Sequence, residues 1–491
     1  MRRDELIALA RKWRWLFGLV GVAVGAALNF YSIDANFRNC VGQPRGSDGQ
    51  IAACTQVIDN VLERRGKRSI AYMLRGNARA EKADFARAFA DYDQAINLDP
   101  KNGGAFYNRG KARLLRGDND GALADYNQVV RFDPKMVDAY NNRGLAWAAK
   151  DDLDHAIADY NEALSLDPKH AISYYNRGLA YERKRDFDHA IADYSQAVSF
   201  DPRHVYALVE RGGVWVKKGD NQNAIADFDM AISKDPKDAT AYYGRGVVRG
   251  KTGDRDGAIA DYNQAITLNP KYAISYDSRG LAWAYKGDSD RAMADFNEAI
   301  VLMPSNGEYY RHRGEVWSDK GEHVQALDDF SQAVSLDPKD AFAYFDRGVE
   351  HFYSGTLAKG QIDFEQASAL KPDNAYFAIW LDLAERRGGA AGHLQDATGR
   401  LDMTKWPAPV VRMLLGTDTP ADTMRAAEDP DSTTKTGRVC EANFYTAEFN
   451  RLQEHTDEAL RLYRIAASDC PRSFDEYLAA RAALRELGAS P

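Results

Sequence analysis

Cysteine is scarce in this chain, since 491 residues contain only four, Cys40, Cys54, Cys440 and Cys470, two towards each end. Four cysteines are too few for a scaffold built on disulfides, although the even number permits pairing. A basic excess is also lacking, because 72 acidic side chains outweigh 64 basic ones and the net charge is −8. Nucleic-acid-binding proteins more often carry a basic excess, so we expect no nucleic-acid partner.

Catalytic motifs are lacking as well. The nine histidines are scattered, and the sequence has no His-Glu-x-x-His, no Walker loop, no Gly-x-Ser-x-Gly and no strand-rich segment. No histidine shares a ligand spacing with the cysteines, so we predict no metal site and no cofactor. We therefore expect that the protein is not an enzyme. The alternative, an enzyme or a glycan-binding regulator of enzymes, would be supported by activity of the purified protein alone.

Long apolar runs are absent except at the N-terminus. Residues 1–31 combine a basic head with an uncharged run, WLFGLVGVAVGAAL, at residues 15–28. This pattern is typical of an export signal, and the run is shorter than the ~20 residues of a spanning helix. We predict a signal peptide or an uncleaved N-terminal anchor in the inner membrane, with a buried amphipathic helix as the alternative. The rest of the chain would then be exported to the periplasm.

Proline marks an internal repeat. It occurs every 34 residues, at positions 100, 134, 168, 202, 236, 270, 304, 338 and 372, and an Arg-Gly pair occurs nine times in the same register. Nine units of 34 residues therefore cover residues 69–374, the first starting at Ser69. A period of this length is typical of stacked units that cannot bury their apolar faces alone.

Each unit has the pattern of two helices. Position 8 is always Gly, where two helices can approach closely, and position 15 is Gly in six units, which suits the left-handed end of a first helix. Asp at position 16 in seven units suits the N-cap of a second helix. Positions 20, 24 and 27, which are Ala88, Tyr92 and Ala95 in the first unit, make an apolar stripe that ends before the proline at position 32.

The period and the Gly and Pro kept in all nine units resemble the tetratricopeptide repeat (TPR) family. The resemblance covers about 62% of the chain. It implies an all-α fold, a right-handed superhelical solenoid of antiparallel helix pairs, in which the first helices line the concave face.

Position 7 is Arg and position 23 is Asp in all nine units. One interpretation is a set of structural ion pairs between packed helices, because Arg presents a planar fork to a carboxylate. The other is a charged track for a ligand. Position 7 adjoins the packing glycine, so we favour structural pairs, which set register more surely than they stabilise. In the first four units they are Arg75, Arg109, Arg143 and Arg177 with Asp91, Asp125, Asp159 and Asp193.

The residues at both ends of the array have the pattern of capping elements. Residues 35–68 fit a degenerate capping repeat, and residues 440–491 fit a degenerate TPR followed by a capping helix. Pairing within each end predicts the disulfides Cys40–Cys54 and Cys440–Cys470, because antiparallel helices bring their ends together. Free buried cysteines are the alternative.

Residues 375–439 break the register and predict a helical linker region with one polar loop, at residues 417–438. The segments AIWLDLAERRG, WPAPVVRMLLG and CEANFYTAEF resemble the C-terminal half of periplasmic TPR adaptor lipoproteins of the NlpI type. That resemblance implies cell-wall hydrolases or a protease as partners. This chain lacks a lipidation cysteine and carries many more repeats.

Positions 2, 5, 6, 9, 12 and 13 share one face of each first helix by their spacing. In TPR superhelices Asn at position 6 forms a ladder that binds the backbone of an extended peptide. Basic residues at position 13 suit an acidic part of that peptide, and Asp277, Glu308, Glu315 and Asp319 suit a basic part further on. Polar Asn and exposed Tyr side chains on this face predict a peptide-binding site formed by Asn108, Asn142, Asn176, Tyr107, Tyr175, Tyr243, Arg183, Lys217 and Lys251.

The sequence as a whole predicts a non-enzymatic interaction scaffold or adaptor of the bacterial cell envelope, which binds extended segments of other envelope proteins. The alternative is a membrane-anchored subunit of a secretion or envelope-assembly complex, which an uncleaved N-terminus would favour.

Overall fold

The structure is a computed structural model that describes residues 35–60, 63–471 and 474–490. These residues form 27 α-helices and one short 3-10 turn, without a β-strand. The all-α fold expected from the sequence is therefore confirmed. The predicted signal or anchor at residues 1–31 lies outside the described residues.

The helix bounds follow the 34-residue frame through the array. In chain order the helices are α1 Ala35–Gly42, α2 Asp48–Asp59, α3 Arg65–Glu81, α4 Phe85–Leu98, α5 Gly103–Leu115, α6 Asn119–Phe132, α7 Val137–Ala149, α8 Leu153–Leu166, α9 Ala171–Arg183, α10 Phe187–Phe200, α11 Val205–Lys218, α12 Asn221–Lys234, α13 Ala239–Lys251, α14 Arg255–Leu268, α15 Ala273–Tyr285, α16 Ser289–Leu302, α17 Gly307–Lys320, α18 His323–Leu336, α19 Ala341–Tyr353, α20 Leu357–Leu370, α21 Ala375–Arg387, α22 Leu394–Ala397, α23 Ala408–Leu414, α24 Pro420–Ala426, α25 Ser432–Leu452, α26 Thr456–Asp469 and α27 Asp475–Glu486.

The chain divides into two compact units, Met1–Lys234 and Asp235–Pro491. In the first unit α1 and α2 precede repeats 1 to 5, and in the second unit repeats 6 to 9 precede a C-terminal module of α21 to α27. Within each repeat the two helices pack as an antiparallel pair, and each pair packs on its neighbours in the same unit. This is the helix-pair solenoid that the repeat pattern predicts.

Polar side chains begin the second helices. Asp84, Asp118 and Asp152 are N-caps whose carboxylates accept backbone N–H bonds from the first turn. The glycines at position 15 have positive φ, from +78° to +87°, as the left-handed ends of first helices require. Ala83 and Asp151, which stand at position 15 in repeats 1 and 3, adopt the same left-handed conformation without being glycine.

The glycine at position 8 makes room for the ring at position 24. A Cβ placed on Gly144 would lie 2.6 Å from Cε1 of Tyr160, and one on Gly178 would lie 2.7 Å from Cε1 of Tyr194. Because those rings are fully buried and cannot retreat into solvent, any larger residue would force the two helices apart.

Disulfides close both ends of the described chain. Cys40 bonds to Cys54 between α1 and α2, and Cys440 bonds to Cys470 between α25 and the end of α26. These are the two pairs expected from the sequence, and no cysteine in the described chain is free.

The C-terminal module departs from the sequence expectation in one segment. The single polar loop expected at residues 417–438 is not observed, because α24 and the start of α25 lie within it. Thr419 and Asp422 form a capping box that starts α24, and Asp431 caps α25. Cys440 therefore lies inside α25. The module's core is large and aromatic, with Trp380, Phe444, Tyr445 and Tyr463 fully buried.

Among the described residues, no helix is both long and apolar enough to cross a membrane.

Candidate functional site

The first helices form the inner layer of each unit. Neighbouring first helices contact one another, as α5 contacts α7 and α7 contacts α9 in the first unit, and as α15, α17 and α19 do in the second. The second helices of neighbouring repeats contact each other far less. We call the surface made by positions 2, 5, 6, 9, 12 and 13 of the first helices the first-helix face.

The paired Arg and Asp side chains lie away from that face, between the two helices of each repeat. In all nine repeats Arg Nε and Nη2 donate to the two carboxylate oxygens of the same repeat's Asp, at 2.8–3.0 Å and 2.6–2.8 Å. This fork geometry is that of structural ion pairs. The hydrogen bond to Asp159 raises the pKa of Arg143, although burial opposes it.

The same arginines also connect neighbouring repeats. Nη1 of Arg143 donates to Oδ1 of Asn127 in the preceding repeat at 2.9 Å, and Nη1 of Arg177 donates to Oδ1 of Asn161 at 2.6 Å. The aromatic ring at position 4 lies under the guanidinium in all eight repeats that have one, with 5.3–5.6 Å to the ring centroid. Nε, Nη1 and Nη2 of Arg143 and Arg177 thus all have partners inside the array, which leaves little for a ligand.

Polar side chains on the first helices of repeats 2 to 4 bind one another, and all but Ser173 lie on the first-helix face. Nδ2 of Asn142 donates to Oη of Tyr107 at 2.9 Å, and Nδ2 of Asn141 donates to Oδ1 of Asn142 at 3.3 Å. Oδ1 of Asn141 in turn accepts from Nδ2 of Asn176 at 3.0 Å and from Oγ of Ser173 at 3.1 Å. We call these five side chains the amide network. The sequence pattern did not predict Asn141 or Ser173 as part of the site. Asn141 was indicated only by its position next to Asn142 in repeat 3, and Ser173 was not indicated.

Three of the predicted peptide-binding residues are buried rather than exposed. Asn142 is 9% exposed, Asn176 is 6% exposed and Tyr175 is 8% exposed. The expectation of an exposed Tyr175 is therefore wrong, because its ring packs against Tyr194 and His204. Burial raises the pKa of Tyr175 well above that of an ordinary phenol.

The other predicted aromatic and Asn residues, Tyr107, Asn108 and Tyr243, are more exposed to solvent. Tyr107 and Asn108 are half-buried on α5, at positions 5 and 6 of repeat 2. Tyr243, in the second unit, is half-buried with its ring against Tyr262 and Tyr272. Asn108 is therefore the most accessible member of the predicted Asn ladder.

The predicted basic residues are exposed but make contacts of their own. Nη2 of Arg183 lies 2.6 Å from Oδ1 of Asp151, and Nζ of Lys217 lies 2.5 Å from Oε1 of Glu182. Lys251 is exposed in the last turn of α13. Each of the two pairs connects neighbouring repeats across water-exposed surface, where ion pairs contribute little and exchange partners easily.

The acidic side chains of the first-helix face also have partners. Oδ1 of Asp277 lies 2.8 Å from Nδ1 of His312, and Oε1 of Glu315 lies 2.5 Å from Nη1 of Arg311. Asp319 lies 3.5 Å from Nη1 of Arg481 on the C-terminal helix. The charged residues along this face therefore form contacts with one another and with other helices, and they also contribute to the surface potential.

Metal binding has no support in the described chain, where no group of three or more His, Cys, Asp or Glu side chains could hold a metal ion.

The helix pairs define the class of protein, and comparison with family models then defines the family. Stacked helix pairs with a 34-residue period define a helical-repeat scaffold. Models described as TPR repeat or tetratricopeptide repeat together match slightly more than half of the chain, at residues 70–102, 110–151, 147–184, 171–204, 212–253, 239–272 and 278–341. The chain belongs to the tetratricopeptide repeat family, whose members act as protein-interaction scaffolds.

Solved structures match parts of the chain at low identity. A TPR protein from Parabacteroides merdae is 22% identical over 50% of this chain and 98% of its own, with a TM-score of 0.42. The APC/C hetero-tetramer Cut9-Hcn1 is 14% identical over 68% of this chain and 80% of its own, with a TM-score of 0.45. YrrB, described as a TPR protein with an unusual peptide-binding site, is 22% identical over 36% and 92%, with a TM-score of 0.32. Comparison with curated protein sequences gives no significant match.

Proposed function

We propose that this protein is a non-enzymatic scaffold of the bacterial cell envelope, which binds an extended segment of a partner protein on the first-helix face of repeats 2 to 5. The observation that carries the proposal is the part of that face on α5, in repeat 2, which is open to solvent. Half-buried Tyr107 and Asn108 share a face of α5 with Leu115, which lies about two turns further along the same helix and is 44% exposed. An amide that can donate and accept, next to apolar surface, suits a peptide backbone and its side chains.

The amide network supports this proposal by fixing the face that a peptide would contact. Each side-chain amide has two N–H donors and an acceptor oxygen with two lone pairs. The bonds among Asn141, Asn142 and Asn176 hold the three amides in place and leave part of this capacity unused. A pre-ordered polar face loses less entropy when a ligand binds than a mobile one does.

The two disulfides support the envelope location. All four cysteines of the chain pair, and paired structural cysteines are typical of exported proteins in oxidising compartments. The basic and apolar pattern of residues 1–31 points to the same compartment. Intact-mass measurement of the protein from envelope fractions would distinguish a cleaved signal from a retained anchor, and recovery from the cytoplasm alone would contradict export.

The binding proposal is tested with two neighbouring lysines. Lys217 occupies position 13 on the first-helix face, whereas Lys218 pairs with Asp188 on the second helix of the preceding repeat. The partner is first captured in intact cells by a photoreactive residue placed at Asn108, and is then purified for titration. We expect Lys217→Glu and Asn108→Ala to weaken its binding by about tenfold each, the equivalent of ~1.4 kcal/mol.

The matched change Lys218→Glu makes the same charge reversal one residue away and should leave the affinity unchanged. Asn142→Ala should also weaken binding, but it alters the fold of the face as well, so its melting curve must be compared. Equal affinities for Lys217→Glu, Asn108→Ala and the unmodified protein would contradict this site and move the search to the C-terminal module.

A further inference from the structure

The second unit holds a half-buried pair of basic side chains between carboxylates of three repeats. Arg311 and His312 are neighbours at positions 5 and 6 of repeat 8, on α17. Nδ1 of His312 lies 2.8 Å from Oδ1 of Asp277 in repeat 7, and Nε2 of His312 lies 3.0 Å from Nη2 of Arg311. Nη1 of Arg311 reaches Oδ2 of Asp346 in repeat 9 at 3.3 Å.

The contact between the two basic side chains defines the protonation state of His312. An arginine guanidinium has five N–H donors and no acceptor. Nε2 of His312 must therefore accept the hydrogen bond from Nη2 of Arg311, and the proton of the neutral ring is on Nδ1, where it is donated to Asp277. The observed arrangement is the form of the network with His312 uncharged.

Arg311 has further partners within reach. Its Nε is buried without a hydrogen bond in the described chain, and Oδ2 of Asp340 lies 4.0 Å from it. Asp340 caps α19 through its other oxygen, so this carboxylate has a fixed position at the start of repeat 9. A small rotation of the guanidinium towards repeat 9 would shorten its contacts with both Asp340 and Asp346.

We propose that His312 and Arg311 form a pH-sensitive switch, in which protonation of His312 breaks its bond to Arg311 and turns Arg311 closer to Asp340 and Asp346. Protonation places a hydrogen on Nε2, so two N–H donors face each other at 3.0 Å and repel. His312 then pairs as a cation with Asp277 in repeat 7, while Arg311 pairs with repeat 9. At acid pH the Arg311–Asp346 pair between repeats 8 and 9, which is present in both forms, is joined by an ion pair between His312 and Asp277 of repeats 8 and 7.

The surroundings of His312 are consistent with this direction. Asp277 faces it from α15, Arg311 and Glu315 from its own helix, and the uncharged ring of Phe296 from α16, while α18 contributes no hydrogen bond to it in the described chain. Burial alone would lower the pKa of His312, but the hydrogen bond to Asp277 and the charge of Asp277 outweigh it, so the pKa is raised. A raised pKa stabilises the fold below pH ~6.5, and this contribution is lost as the pH rises through the folded value.

The switch is tested on the full-length protein by hydrogen–deuterium exchange at pH 5.5 and pH 8.5, corrected for intrinsic rates. We expect the amides of α19 to exchange about tenfold more slowly at pH 5.5, which is the size of one pKa unit of coupling. NMR of histidine-labelled protein follows the titration of His312 itself. His312→Gln should remove the pH dependence, whereas His170→Gln, a change to a histidine of the first unit, should keep it.

A second variant separates the switch from a simple ion pair. In Arg311→Gln, His312 should still titrate, but exchange in α19 should no longer depend on pH, and Asp340→Asn should give the same result if Arg311→Gln does not fold. Titration of His312 without a change in α19 of the unmodified protein would overturn the proposal. So would an unaltered pH dependence in His312→Gln.

Discussion

Repeats 2 to 4 and repeats 7 to 9 place different chemistry at the same positions of the first-helix face. In repeats 2 to 4 positions 5 and 6 carry neutral groups, and Tyr107, Asn141 and Asn142 bind one another through ordinary hydrogen bonds. In repeats 7 to 9 the same positions carry Asp277 and Arg311, which are ionised, and contacts between repeats depend on them. The backbone period is compatible with both kinds of contact.

The difference shows what each region gains from its side chains. Neutral hydrogen bonds contribute modestly and do not depend on pH in the physiological range. Buried ionised groups cost more to desolvate and must be paired, but their contacts respond to protonation. We therefore expect the first region to be a constant surface and the second to change with conditions.

The largest expected effect concerns a contact that both regions share. Arg143→Ala in repeat 3 and Arg313→Ala in repeat 8 each leave a buried carboxylate without its arginine, which costs about 3–5 kcal/mol. Because the fork geometry is the same in both repeats, the two losses should agree within ~1 kcal/mol. Urea unfolding measures them.

Melting curves left unchanged while partner binding is lost would reverse the assignment and make the arginines a ligand track.

Disulfide removal should come next. Cys40 and Cys54 enclose a loop with a sequence separation of 14, and Cys440 and Cys470 one with a separation of 30. Each bond should stabilise the end that it closes by ~2–4 kcal/mol, and the longer loop should give about 0.7 kcal/mol more by the chain-entropy relation. Denaturation of the paired Cys→Ser variants tests the ranking.

Four titratable thiols in freshly purified envelope protein would contradict both bonds.

A smaller loss is expected from Arg311→Met. The apolar chain keeps much of the volume but removes the Arg311 contacts to Asp346 and Glu315, and bonds to charged groups contribute ~1.5–3 kcal/mol. Local exchange in α17 and α19 measures the loss. High salt should reduce the difference between variant and unmodified protein, because part of this network is exposed. A loss that does not depend on salt would point to packing instead.

The smallest effect should come from the neutral region. Asn142→Ala removes one bond to Tyr107 and one from Asn141, at a cost of about 1 kcal/mol. This cost should be the same at pH 5.5 and pH 8.5, whereas the cost of His312→Gln should be larger at pH 5.5. Parallel pH profiles for the two variants would remove the distinction between the regions.

The repeat frame could be predicted from the sequence because its signals are local. Gly144 is required by the ring of Tyr160, and Asp152 caps the helix that begins next to it. Each of these residues therefore indicates a structural feature at its own position. The left-handed conformation of Asp151 could be predicted only from the register of the repeat, because a non-glycine residue is uncommon in that conformation. The helices within residues 417–438 were obscured by polar composition, which describes exposure rather than backbone conformation.

The candidate site was less predictable than the fold. The Asn residues at position 6 lie on the expected face, but Asn176 bonds to Asn141 one repeat earlier. Such bonds depend on rotamers and on the spacing between neighbouring first helices, which no local pattern encodes. The charges of Lys217 and Asp277 were visible, whereas their partners Glu182 and His312 depend on how one repeat is placed on the next.

The arginine bridge between repeats has a consequence for how the array can evolve. Because Arg143 contacts Asn127 and Arg177 contacts Asn161, both arginines meet position 25 of the repeat that precedes them. Loss of repeat 3 by unequal recombination would bring Arg177 next to Asn127, a partner of the same kind. Duplication of that 34-residue segment would likewise create a junction that already fits. The chain can therefore change length by whole repeats without a compensating mutation where position 25 is Asn. The exceptions are repeats 4 and 8, where Ser195 and Ser331 replace the amide, and repeats 1 and 5, where Asp93 and Asp229 replace it.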